Sequence, residues 1–285
     1  MTNDPSSDPR RHPLFRRYPL SGQVLLSTGP APTPYHVYDG HGVFVGGSAD
    51  LAAARALLAP EQLAPATTTD GRALMGVWIF DFTDASLGAH HELQFSLWAG
   101  PVNSRPVAPH AFAAIDVMLT RPDLRMMCHG LWNNTPRVVA YNRELLGLDA
   151  RESHSLIDAR GPALEFAVDD AQTQETVLQG RFHRPHRQSL RAGLSLASRV
   201  GWRTLARVAR EPWLRTPVVN PIGSVVDRNA SADSFTKARR SLLRRFDPAG
   251  DHLEFGDTRY QRLGFQPQFV QFMEGFRFVY MAPKA

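Results

Sequence analysis

The residues with most to offer chemically stand in one short run, His90-His91-Glu92, which follows a glycine-bearing loop over residues 83–89. Beyond it the chain alternates as Leu93-Gln94-Phe95-Ser96-Leu97. In an extended strand Glu92, Gln94 and Ser96 then share one face, and Leu93, Phe95 and Leu97 the other. The polar face can look into water, or it can line the lumen of a closed barrel. In a lumen, loss of water raises a carboxyl pKa and suits Glu92 to general acid–base work. His90 has the parity of Glu92 and His91 does not. A His–Glu pair moves protons in an enolisation, dehydration or cyclisation with no covalent intermediate. The plain alternative is a polar loop and a solvated strand face.

A second rank of candidates is scattered. His41, Tyr141, His129 and Trp132 are pocket candidates for holding substrate, and Arg151 could clamp a carboxylate through two parallel hydrogen bonds. Solvent exposure explains Arg151 equally well. Cys128 beside His129 invites a nucleophile reading, but neighbours in a strand point to opposite faces, and a buried structural thiol is expected. His183 and His186 have a metal-like spacing, yet Arg181, Arg184 and Arg187 around them would repel a cation. Neither a metal nor another cofactor is expected. One cysteine excludes an internal disulfide and a cysteine-based zinc site.

Strands must position these residues. Residues 34–47 read as a strand with glycine breaks, and Asp50 as the cap of a short helix ending at Pro60. Residues 73–82 are apolar at both parities, the pattern of a strand buried on both faces. Residues 125–132 read as a strand, 138–146 as a helix stopped by Gly147, and 164–182 as a hairpin around Asp169-Asp170. Over residues 190–210 a helical period puts Leu194, Ala197, Leu205 and Val208 within about 60° of Leu190, with Arg199, Arg203, Arg207 and Arg210 opposite. Two aromatic-rich strands, near 263–273 and 276–281, close the sequence. Strands predominate, which predicts a mainly β (α+β) fold with covering helices, a barrel or pair of curved sheets. Residues 1–30 read as a flexible arm, and 31–285 as a single domain with 187–246 as a helical, basic insertion.

Length and composition agree. The chain has 285 residues, 43% hydrophobic and 21% charged, enough to build a core. No run of about 18 apolar residues offers a membrane span. The polar first residues lack a signal-peptide core, so cytoplasmic residence is expected. Of 32 basic residues only Lys237 and Lys284 are lysines. Lys237 sits in a polar basic tract and Lys284 at the terminus, so an amine able to form a Schiff base is scarce.

Three segments in order resemble the acetoacetate decarboxylase superfamily. Residues 34–63 resemble its opening strand, short helix and "LLPE-x-L" stretch, here Leu57-Leu58-Ala59-Pro60-Glu61-Gln62-Leu63. Residues 84–92, Asp-Ala-Ser-Leu-Gly-Ala-His-His-Glu, resemble the signature "D-T-S-x-G-x-Y-x-E". Residues 143–148, Arg-Glu-Leu-Leu-Gly-Leu, resemble "G-R-E-L-W-G-F-P-K-K". With the hairpin, the likeness spans roughly residues 34–182. It implies a curved, cone-like β-barrel with a lumenal pocket, and a lysine activated by a cationic neighbour, as is established for acetoacetate decarboxylase itself. Position by position the chemistry does not carry over. The Schiff-base lysine falls on Ala150, its neighbour on Arg151, and a substrate-binding arginine at about Gly40, next to His41. One pocket glutamate falls near Val77, and only the other survives, as Glu92. Alanine has no nucleophile and arginine is too basic to be one. The Arg143–Glu144 pair is expected to be structural.

The leading expectation is therefore an enzyme of this fold with altered chemistry. It would act by acid–base catalysis at Glu92, with His90 or His91, on a small keto or enolisable substrate. A cyclisation, dehydration or lyase step fits, as does a place in secondary metabolism. A non-catalytic binding protein on the same barrel is the first rival. The second is an anionic-membrane or nucleic-acid binder using the arginine tracts, although nucleic acid is not an expected partner of the leading reading. A homo-oligomer is also expected.

Overall fold

A strand that is apolar at both parities needs cover on both faces. The computed structural model, which describes residues 8–158, 161–221 and 230–283, supplies it twice over. Helix α1 (Pro13–Arg17) and the hairpin β1 (Gly22–Leu26)–β2 (Gly29–Thr33) precede the long β3 (Tyr35–Ala49). Asp50 then caps α2 (Leu51–Leu58), its carboxylate accepting from the Ala53 N–H at 2.8 Å. Strands β4 (Ala64–Pro65), β5 (Ala73–Ala85) and β6 (His90–Gly100) lead to α3 (Ala113–Thr120), β7 (Arg125–Asn133) and α4 (Pro136–Ala140). Strands β8 (Ala150–Asp158), β9 (Ala163–Asp170) and β10 (Thr176–His183) follow, then α5 (Leu190–Val200) and α6 (Trp202–Arg210). The chain finishes with β11 (Leu214–Val219), β12 (Ser231–Lys237), β13 (Arg240–Arg245), β14 (His252–Phe255), α7 (Thr258–Gln261), β15 (Gln266–Glu274) and β16 (Arg277–Tyr280).

Among the described residues seven strands close a ring: β3 pairs with β5, β5 with β6, β6 with β7, β7 with β11, β11 with β12, β12 with β16, and β16 returns to β3. The far half of β3 pairs instead with β15, which carries β13. This is the closed, curved barrel that the resemblance implies. A second sheet, β8–β9–β10–β14, leaves the ring at β7 and lies over its outside. The two faces of the wall thus build two cores. On β5, Leu74, Phe80 and Phe82 belong to the inner cluster, and Met75, Val77 and Ile79 to the outer one. Leu93, Phe95 and Leu97 of β6 pack outward against Leu164, Phe166 and Phe182 of the second sheet. Gly76 has no room for a Cβ, because the Phe44 ring occupies that space on the inner face.

Several elements depart from the sequence reading, each for a local reason. The arm is held down from residue 8 on: Leu14 and Phe15 are buried against Phe235 and Val279, and Arg10 pairs with Asp84 at 2.8 Å. Leu26 and Ala31 of the first hairpin enter the inner core. The helix expected over 138–146 runs over residues 136–145, with α4 passing into a wider π turn (Tyr141–Leu145). The amphipathic helix over 190–210 is two helices, since Gly201 at φ 82° ends α5 and begins α6. Residues 187–246 are more than an insertion, because β11 and β12 complete the ring. Lys284 lies outside the described residues. No described helix is long and apolar enough to cross a membrane.

Candidate active site

The ring encloses a cavity of about 470 Å³ to which each of its strands contributes. Trp78, Phe80 and Phe82 of β5 form one wall; Met126 of β7, Val218 of β11 and Phe278 of β16 continue it. Met118 of α3, Leu196 of α5, and Leu205 and Val208 of α6 cover one end. The apolar helical stripe read from the sequence is this cover. Among the polar groups set in these walls, Tyr35, Glu92, Gln94, Asn142 and Tyr280 are the ones with most chemical scope at the barrel end.

Glu92 faces the lumen because β6 pairs Phe80 with Glu92, and both project inward. Glu92 is partly exposed and lines the cavity. Among the described residues the one side chain that hydrogen-bonds it is Asn133, whose amide nitrogen donates to Oε2 at 3.3 Å. Asn133 is fully buried and spent elsewhere too: it donates to the His91 carbonyl at 3.2 Å and accepts from Asn142 at 2.9 Å. A single amide cannot offset the loss of water, so burial raises the Glu92 pKa from its ordinary 4.5 to about 7. Near neutrality it is then both a proton acceptor and a proton donor.

Behind the cavity wall stands a second polar chain. His90 is 2% exposed, with Nε2 at 2.7 Å from the Tyr35 hydroxyl and Nδ1 at 2.9 Å from the Gly88 carbonyl. A carbonyl only accepts, so Nδ1 carries the proton and Nε2 accepts from Tyr35. Burial lowers the His90 pKa to about 4 and keeps the ring neutral. The Tyr35 phenol reaches the lumen, so His90 meets the cavity through Tyr35. The hydroxyls of Tyr35 and Tyr280 are held protonated by burial and by the nearby Glu92 charge.

The remaining predicted residues lie outside the cavity lining. His91 and His41 flank Asp81 on the outer face of the wall, their Nε2 atoms 3.8 and 3.2 Å from its carboxylate oxygens, and His91 Nδ1 is 2.9 Å from Ser155 Oγ. His129 packs against Tyr260, and Trp132 donates to Asp170 at 3.0 Å. Arg151 lies over the Trp132 ring and pairs with Asp149 at 3.4 Å. Tyr141 is buried against Tyr35, and its hydroxyl donates to Thr33 at 3.2 Å. Cys128 is buried, and burial raises its pKa, which disfavours the thiolate. Glu144 accepts from Ser27 rather than from Arg143. His183 Nδ1 donates to the Gly250 carbonyl at 2.6 Å. Among the described residues no cluster of histidine, cysteine and carboxylates is placed to hold a metal ion.

Two positions bear on amine chemistry. Ala150, where the resemblance puts the reactive lysine, is buried in the inner core, its strand paired with β7 at Leu131. Lys237, read from the sequence as part of a polar tract, contributes to the cavity lining, and its ammonium donates to the Glu211 carbonyl at 3.0 Å. Sequence reasoning missed Asn133, the partner of Glu92, and Tyr35, Asn142 and Tyr280, which line the same cavity. Asn133 and Asn142 stand in polar runs that give no local signal of a lumenal role.

No protein-family model matches this sequence, and no curated protein does. Solved structures do. Acetoacetate decarboxylase from Legionella pneumophila superposes with a TM-score of 0.58 at 11% identity, over 96% of this chain and 94% of that one. A second acetoacetate decarboxylase gives 0.56 at 12% identity, over 87% of each chain. The enduracididine biosynthesis enzyme MppR, complexed with pyruvate, gives 0.54 at 12% identity, over 93% of this chain and 98% of that one. At such identities the likeness concerns the fold: a curved barrel with covering helices, of the acetoacetate decarboxylase type.

Proposed function

We propose that the protein is an acid–base enzyme on this fold, with Glu92 as the proton-transferring group and an enolisable carbonyl compound as substrate. The observation that carries the reading is one carboxyl buried at a lumen wall, held by one amide and raised to about 7. In the first step the Glu92 carboxylate takes a proton from the carbon next to the carbonyl. The C–H electron pair moves into the carbonyl, giving an enolate. Protonated Glu92 then returns the proton: to a departing hydroxyl in a dehydration, to carbon in an isomerisation, or, in a ring closure, to the alkoxide oxygen left when the enolate carbon has attacked a second carbonyl. Tyr280 and Asn142 line the same cavity and supply hydrogen-bond donors for the enolate oxygen. Tyr35, held by His90, positions that end of the site.

The reading dispenses with an iminium. Ala150 has no amine, and the Lys237 ammonium is engaged by a backbone carbonyl.

Proton abstraction can be followed before the natural substrate is known. In D2O the protein should accelerate deuterium uptake next to the carbonyl of 2-undecanone, seen by NMR. Glu92→Gln should lower that rate by at least about 10²-fold, the lower end of what general acid–base groups supply. The wild-type rate should rise with pH through about 7 as Glu92 ionises. Wild type without exchange, or equal rates in the variant, would sink the proposal. Borohydride added with the ketone should leave the protein mass unchanged; a reduced adduct on Lys237 would make the protein an amine catalyst instead.

A further inference from the structure

The charges around the cavity are distributed in a way that the proposed chemistry does not require. Among the described lining residues the ionisable acids and bases are Glu92, Glu211 and Lys237, beside the tyrosines. Lys237 is the one cation, and it is tied to Glu211 at the cover, where β12 meets α6. Along β12 it lies three residues from Ser234, the partner of Tyr280, a distance of about 10 Å at strand spacing. The arginines near the reacting end are on the wrong side of the wall: Arg151 and Arg259 lie over the outward-facing Trp132. A substrate carboxylate beside Glu92 would be a second buried anion with no cation among the described lining residues near enough to meet it, and an unpaired buried charge is strongly disfavoured.

The rest of the cavity is large and mainly apolar, with Thr216, Ser234, Thr236 and Gln271 as neutral polar groups among the barrel side chains that line it. Its 470 Å³ lies in the range of drug-sized ligand sites, roughly 300–1,000 Å³. Aromatic and methionine side chains line it from the barrel, and Leu196, Leu205 and Val208 from the cover. A short keto acid would leave most of that surface against water.

From the lack, among the described lining residues, of a cation beside Glu92 and from the mainly apolar walls, we infer that the ligand is an uncharged carbonyl compound, a ketone or ester, with a long apolar tail reaching from the Glu92 end toward α5 and α6. The inference takes Glu92 as the reacting end and so rests on the acid–base reading.

Calorimetry with three probes tests it at pH 8: methyl 4-oxododecanoate, its free acid and methyl 4-oxopentanoate. The long ester should bind at least tenfold more tightly than the acid of equal length. It should also bind at least 100-fold more tightly than the short ester, since each buried methylene is worth about fourfold. An acid that binds as well as its ester overturns the uncharged head. Equal affinity of long and short esters overturns the apolar tail. Repeating both assays with Glu92→Gln keeps the two readings apart. Ester preference in the wild type with exchange unchanged in the variant would remove the acid–base role alone. No ester preference in the wild type with a large fall in exchange in the variant would remove the ligand class alone.

Discussion

Glu92 and Asp81 lie on neighbouring strands of one wall, a single residue out of phase. Phe80 pairs with Glu92 and both face the lumen; Asp81 pairs with His91 and both face outward. Because side chains alternate along a strand, one step moves a carboxylate from one side of the barrel to the other. Inside, Glu92 has one amide for a partner and aromatic walls around it. Outside, Asp81 is 18% exposed at its side chain and stands between two imidazoles. The same chemical group is poised to exchange a proton on one face and built into a polar cluster on the other. What separates them is the side of the wall and the partners found there.

The largest expected contrast is in proton exchange. Glu92→Gln should lose at least about 10²-fold, whereas Asp81→Asn should stay within about threefold, since its side chain never meets the cavity and loses only part of an outer cluster. A large loss in Asp81→Asn would erase the distinction.

Stability against pH sharpens it. Glu92 ionises near 4.5 in the unfolded chain and near 7 in the folded one. Between those values the unfolded chain has released its proton and the native protein has kept it, so stability falls as pH rises through that window. The full effect is about 3 kcal/mol at 1.36 kcal/mol per pH unit. Glu92→Gln should abolish that slope. Its advantage over wild type should be greater at pH 8 than at pH 4, by up to that amount, in urea titrations at the two pH values.

Tyr35→Phe removes the donor to His90 Nε2 and leaves a buried acceptor unsatisfied, which costs about 1–3 kcal/mol. Its effect on exchange should be smaller than that of Glu92→Gln, because His90 reaches the cavity only through Tyr35. The smallest effect belongs to the cover. Gly201→Ala forces an alanine to φ 82° and costs about 1–2 kcal/mol. No residue of α6 is buried, so faster hydrogen exchange should be confined to α5 and α6, with little change in the melting of the barrel.

What the sequence made legible was local and periodic. The two-sided apolarity of β5, the alternation of β6, the Asp50 cap and the β9–β10 hairpin each follow from neighbours a few residues apart. That alternation placed Glu92 and Gln94 on one face, but left open whether the face met water or a lumen. Only the closure of β7 on β11 decides it, and that contact joins residues about ninety positions apart. The same distance hides the polar partners. His90 shares the parity of Glu92, yet its Nε2 is taken by Tyr35, 55 residues earlier. Asn133 reaches Glu92 from a strand 41 residues later. The β1–β2 hairpin carries two prolines and no clear alternation, so composition alone suggested a loose arm. The break at Gly201 was masked by apolar positions that keep their period across it.

The central claim is that Glu92 is a buried carboxyl ready to exchange a proton near neutrality. Carbon-13 NMR of the side-chain carboxyls, with the Glu92 signal assigned by its absence in Glu92→Gln, measures this with no substrate. The account predicts a titration centred near pH 7. A midpoint near 4.5, the value of a solvated glutamate, would contradict it.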